Sequence, residues 1–435
     1  MRATILPAFF VLLLLAAAVP GSGIPGSASD EPGLDDPVQL LQQRIQSGEV
    51  TLRYDSAYGF LPSLLEELDI PVSSQMLVFS RTSLQTDRIG PWAPRALYFN
   101  DEVYVGWVQD SPTIEIAAMD PDSGTVFYTV SDADPTRPAI QGRSRMCLMC
   151  HESRSVTGGP PGLIVLSVLV DRLGYPIGDL HQGSTSERTP HDRRWGGWYV
   201  TGTHGDLPHA GNVHAPELSH EVTSGDARAA EFDYSAGANV TALDDYFYTG
   251  AYLTPHSDLV ALQLLAHQAQ VHNLMNVVRS ETEEALELEG MRLRNGAEPQ
   301  AGEDHLPATL TRVGTAVDRL LRAMTFAQEI PLPSPIAGTS DFAGEFQQRG
   351  PWASDGQSLR ELDLETRLLT NRLSFLIHSD SFNALPAMAL DLFAARLMRL
   401  LEGSEPSHLP EAERQAILSI LRDTEPDLLE RGALQ

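Results

Sequence analysis

Between Gln75 and Val130 the chain repeats one pattern five times: a short run rich in β-branched and aromatic residues, closed by turn chemistry. The runs are QMLVF (75–79), ALYF (96–99), VYVGWV (103–108), TIEIAAM (113–119) and TVFYTV (125–130). Asn100-Asp101 and the stretch Asp120-Pro-Asp-Ser-Gly124 stand between them. Short strands separated by tight turns can pair only with their neighbours, so this segment is expected to form an antiparallel meander. Two further strands are expected at Leu163–Asp171 and Trp198–Thr203, with irregular connection over 215–245.

Beyond residue 250 the periodicity changes to helical. Thr254 is read as an N-cap, Pro255 as the first helical residue and Gly290 as the stop, which brackets a helix of up to 35 residues. A second amphipathic stretch puts Val313, Val317, Leu320, Leu321 and Met324 on one face. Further helices are expected at 358–378, 386–402 and 410–422, the last two opened by Pro386 and Pro410. Residues 331–356 read as a Pro/Gly-rich crossing and 290–306 as an acidic loop. The fold class is therefore α+β, with an antiparallel β-rich first half (30–220) and an α-helical second half (221–435) packing on it.

Residues 1–29 read as a secretory signal. Met1-Arg2 gives a short positive start, and 5–19 is an unbroken apolar run, short for a bilayer span and suited to an export signal. Small residues with Gly and Pro follow it. A periplasmic or otherwise exported bacterial protein is expected, with no stable membrane insertion after cleavage.

All 30 basic residues are arginine, against 58 Asp and Glu, for a net charge of −28. The absence of lysine excludes Schiff-base chemistry, pyridoxal anchoring and a P-loop. The acidic balance argues against nucleic acid and favours a basic partner protein.

Only two cysteines occur, and both fall in Cys147-Leu-Met-Cys150-His151. A C-x-x-C-H sequence lets two thiols form thioethers to the vinyl groups of one haem and places the histidine under the iron. Other chemistries of a cysteine pair fit less well. A thioredoxin-like redox pair wants a βαβ setting, zinc wants further ligands, and a disulfide across two residues would stabilise little.

These residues resemble the attachment site of cytochromes c. More locally, FNDEVYVGWVQ (99–109), CLMCH (147–151), RWGGWYVTGTHG (194–205) and LTPHSDLVAL (253–262) resemble a family of exported bacterial monohaem cytochrome c domain-containing proteins of undetermined function. The resemblance covers most of the chain after the signal. It implies haem c on Cys147 and Cys150, with His151 as axial ligand, and a passage through the haem-attachment machinery. Small cytochromes c are helical and carry the motif near their start. Here it follows a hundred residues of strand-like sequence, so their downstream methionine ligand is not assumed.

Three residues are candidates for the distal ligand. His267 falls in the apolar stripe of the long helix with Val260, Leu264, Val271, Leu274, Met275 and Val278, whereas His272 points elsewhere. A histidine in such a stripe needs a partner: an iron, a propionate or a backbone carbonyl. Met275 lies in the same stripe, where core packing is the simpler role. His204 follows the Trp195–Tyr199 segment, whose aromatic rings could wall an apolar cofactor. The other histidines between 151 and 220 (His181, His191, His209, His214 and His220) show no metal-binding spacing. Arg145 and Arg194 are candidates to hold the haem propionates, with Arg143, Arg154 and Arg193 near them; surface ion pairing is the alternative.

Electron transfer through one covalent haem is the safest functional expectation. A haem oxidoreductase, peroxidase-like or oxygen-activating with an open distal position, is the alternative, and a haem-based ligand sensor or binding subunit a weaker one.

Overall fold

The computed structural model describes residues 35–142, 145–177, 183–214, 233–300 and 304–433. The signal segment 1–29 and the boundary near residue 220 lie outside them. Six strands form one sheet in sequence order, each antiparallel to the next: β1 (Met76–Val78), β2 (Arg95–Phe99), β3 (Val103–Trp107), β4 (Thr113–Asp120), β5 (Gly124–Ser131) and β6 (Ala139–Gly142). The turn chemistry works as expected. Asn100 Oδ1 accepts the Glu102 and Val103 N–H groups, and Asp120 Oδ1 accepts those of Asp122 and Ser123. Gly124 closes the second turn at φ +76°, a left-handed conformation that favours glycine.

Alternation divides the sheet's side chains between two cores. Leu77, Tyr98, Val103, Val105, Ile114, Ile116, Val126 and Tyr128 pack with residues from helices α1 (Pro37–Gln46) and α2 (Leu61–Glu67). Met76, Val78, Phe99, Ala117 and Phe127 belong to a second core, which contains the helical half. α3 (Arg145–His151) belongs to the first half; the helical half is built on the long α4 (Leu259–Arg294), α5 (Pro307–Met324), α6 (Phe342–Gln348), α7 (Asp380–Asn383), α8 (Ala387–Glu402), α9 (Glu411–Thr424) and α10 (Pro426–Ala433). The fold is α+β. No helix among the described residues is long and apolar enough to cross a membrane.

Several boundaries differ from expectation. The long helix begins after Asp258, not Thr254, because the Gln75 amide takes the Thr254 and His256 carbonyls that a helix would have used. It runs through Gly290 and stops at Asn295-Gly296, where Gly296 turns at φ +88°, so the acidic loop begins about a turn later than expected. Residues 358–378 form no long helix; only Phe375–His378 coils, as a 3-10 turn. There the backbone pairs across the structure, Ile336 N–H to Leu364 O and Leu332 N–H to Thr366 O, and tertiary pairing overrides the local pattern. The crossing 331–356 contains α6. Pro386 and Pro410 sit at the N-cap positions, one residue before their helices. The strands expected at 163–171 and 198–203 shrink to the two-residue pieces Leu166–Ser167 and Gly202–Thr203.

α4 ties the two halves together. Along one side it carries Gln268, His272 and Asn276 at four-residue spacing, which share a face. Gln268 donates to Asn100 O and Tyr104 Oη, Tyr104 Oη lies 2.8 Å from His272 Nδ1, and Asn276 donates to Thr125 Oγ1.

Candidate haem site

Both cysteines sit on α3, three residues apart and so about one turn along the same face. Arg-Met-Cys-Leu-Met-Cys-His has no Gly, Pro or β-branched residue to oppose helix. Cys147 is partly buried against the helical core, Cys150 is exposed, and no disulfide joins them. Two neighbouring apolar side chains face solvent, Met146 at 59% and Met149 at 81%. Thiols presented this way at the edge of an apolar patch fit a large, flat, mostly apolar group bound from outside.

His151 ends the helix, and the chain then folds back on it. Gly158 and Gly159 adopt φ +91° and +128°, a turn that returns Pro161 and Gly162 to the histidine. Gly162 N–H donates to His151 O at 2.8 Å, and His151 Nδ1 lies 2.8 Å from Gly162 O. A carbonyl can only accept, so Nδ1 carries the proton and Nε2 the lone pair. The ring packs on Phe127 at a centroid distance of 4.5 Å. Burial pushes its pKa down, which favours the neutral form. Among the described residues no group hydrogen-bonds Nε2.

The returning segment is itself held from α4. Asn273 accepts Leu163 N–H at 2.7 Å and donates to Leu163 O at 2.8 Å, and Asn276 donates to Pro161 O at 3.0 Å. Gly162, Asn273, Asn276 and Phe127 thus set the imidazole's orientation. Asn273 and Asn276 carry no local sequence signal for this role, because their contacts with the loop span 110 and 115 residues.

The remaining candidates are placed elsewhere. Arg143, His181 and His220 lie outside the described residues, as does the side chain of Arg145. Arg194 is buried, and its guanidinium is shared among Thr189 O, Glu187 O and Gln263 Oε1; burial lowers its pKa to about 10. Those three bonds give it a structural task.

His267 is fully buried and stacked on Phe326, with Ser374 Oγ 2.8 Å from Nε2 and Glu187 Oε2 3.9 Å from Nδ1. This Ser-His-Glu order resembles an acyl-transfer triad. Ser374, however, is completely buried and caps a 3-10 turn, so no substrate reaches it. Met275 is a core residue. His204 Nε2 accepts Asn239 N–H at 2.9 Å and meets His209 Nε2 at 3.1 Å, which commits its lone pair. Among the described residues no group of three or more His, Cys, Asp or Glu is arranged to hold a bare metal ion.

Comparison with protein-family models, curated proteins and solved structures finds no match to this chain.

Proposed function

We propose that the protein is an exported c-type haem protein that transfers electrons through one haem attached to Cys147 and Cys150. One observation carries the reading. Beside two thiols on one helical face, His151 is fixed with Nδ1–H on a backbone carbonyl and Nε2 presenting its lone pair, the tautomer an axial ligand requires. Bound there, the haem supplies a one-electron ferric–ferrous couple. The chain's own residues orient the imidazole, supply the thiols and lay Phe127 against the ring. The negative charge of the chain suits a basic redox partner.

Expression with the haem-attachment machinery, followed by haem staining of a denaturing gel, tests this directly. Stain that survives denaturation in the native chain and disappears in C147S/C150S is expected. An unstained native chain would overturn the reading.

A second reading, a haem oxidoreductase with a ligand-accessible iron, draws on the buried, committed positions of His267, Met275 and His204. None of these could bind an iron beside His151 without rearranging the core. Rapid shifts of the ferric spectrum with cyanide and of the ferrous spectrum with carbon monoxide would favour it over a closed carrier.

A further inference from the structure

Behind the loop that leaves α3, residues 154–158 and 184–188 face α4 and α5 across an open cleft of about 500 Å³. Four arginines line it: Arg154 and Arg188 from the two segments, Arg319 and Arg322 from α5. All four are exposed. In a chain with 58 acidic residues and 30 arginines, guanidinium groups readily find carboxylates. Arg312, two turns earlier on α5, pairs with both Glu281 and Glu284 of α4. Yet among the described residues no carboxylate comes within ion-pairing distance of the four cleft arginines. Arg188 meets only the neutral Gln328 amide at 3.2 Å, and Arg154 acts on Glu284 only from a longer range.

Among the described residues the one acid lining the cleft, Glu187, is turned inward. It is buried, its Oε1 accepts from Gln270 at 3.1 Å, and its Oε2 faces His267 with no hydrogen-bond partner. Glu187 also contributes its backbone carbonyl to the buried Arg194. The cleft is therefore a local reversal of sign in a polyanion, and it brings together like charges that repel unless something neutralises them. Hydroxyls of Ser155 and Ser186 lie among the guanidiniums.

We propose that this cleft binds a small multivalent oxyanion, a phosphate or a di- or tricarboxylate, through paired guanidinium forks. Its volume suits a small molecule. A large polyanion such as nucleic acid would meet the acidic surface around it. The site stands apart from the haem reading and does not depend on it.

Calorimetric titration of citrate and of inorganic phosphate into the full mature chain tests the proposal, with ionic strength held constant by sodium chloride. Haem-loaded protein and the C147S/C150S variant are titrated in parallel. Saturable binding of one ion per chain is expected in both. R319Q/R322Q and R154Q/R188Q should weaken it about tenfold or more, since each removes charge-assisted hydrogen bonds. R431Q, which alters an exposed arginine paired with Asp391, should bind as the native chain does. All five arginine substitutions are at exposed positions, and glutamine is a good helix former, so folding is retained. No saturable heat with either anion, or undiminished binding in the cleft variants, would overturn the proposal. So would binding seen only in the haem-free variant, which would return the cleft to the haem propionates. A chain that fails to attach haem but binds citrate would sink the haem reading alone.

Discussion

Gly162 grips His151 at both of its polar ends, taking the backbone carbonyl with its N–H and the imidazole Nδ1–H with its own carbonyl, each at 2.8 Å. A two-point hold fixes the ring's tautomer and its rotation together, and it needs a residue without a side chain. A Cβ on Gly162 would stand 2.4 Å from Asn273 Oδ1 and 3.0 Å from Thr157 Cβ.

Gly162→Ala should therefore force the Asn273 clamp open and cost about 1–3 kcal/mol. Urea denaturation gives the stability, and the ratio of covalent haem to protein gives the consequence at the site. Native values of both would remove Gly162 from the positioning role.

Asp258 is a larger liability. Fully buried, it accepts from the N–H groups of Val260, Ala261, Thr339 and Ser340 and from the Ser340 hydroxyl. Asp258→Ala loses the cap of α4 and orphans the other donors at once, with an expected loss of at least about 3 kcal/mol. Asp258→Asn keeps one accepting oxygen and should fall between. A shift in thermal midpoint no larger than that of a surface substitution would contradict this.

The chain should lose stability in mild acid, before its exposed carboxylates titrate. Burial lowers His191 to about 4 and His209 and His272 to about 3, whereas unfolded imidazoles take protons near 6.5. Between those limits the unfolded chain binds more protons, so the stability present above pH 6.5 is lost as pH falls. Glu102 and Glu329, both raised by burial to about 7, act in the opposite direction over the same window. The three histidines outweigh the two glutamates, leaving a net loss of about 1 kcal/mol from pH 7 to 5. Denaturation midpoints at the two pH values measure it; a midpoint that rises toward pH 5 would reverse the balance.

The glutamate contribution can be isolated at Glu102. Its carboxyl is held by the Ser381 hydroxyl at 2.6 Å, and its other oxygen is buried without a partner. A raised folded pKa means that stability is present below 4.5 and lost as pH rises through 7. Glu102→Gln should leave stability unchanged at pH 5 and raise it by up to about 3 kcal/mol at pH 8. Equal effects at both pH values would show that ionisation is not the cause.

The meander was legible because β-branched runs alternate with Asn, Asp and Gly turns, and both turns close through the side chains that mark them. β6 was not, because Ala-Ile-Gln-Gly lies exposed at a sheet edge and carries no alternating pattern. The start of α4 was misplaced because its competitor, the Gln75 amide, comes from 180 residues away. At the proposed haem site the thiols and His151 follow from spacing alone. What presents His151 does not, since Asn273 and Gly162 become neighbours only once α4 has docked on the sheet.

Asn273 lies fifteen residues beyond Asp258 on one unbroken helix, a separation of about 22 Å. With one end seated by Asp258 and three amide or imidazole groups indexed to the sheet, α4 is a fixed-length gauge. A single inserted residue between 259 and 272 would rotate everything beyond it by about 100°, carrying Asn273 and Asn276 away from the returning loop together. Substitutions along this rod can be absorbed one by one, but its length cannot drift, and the reading frame of the helix is in effect part of the proposed haem site.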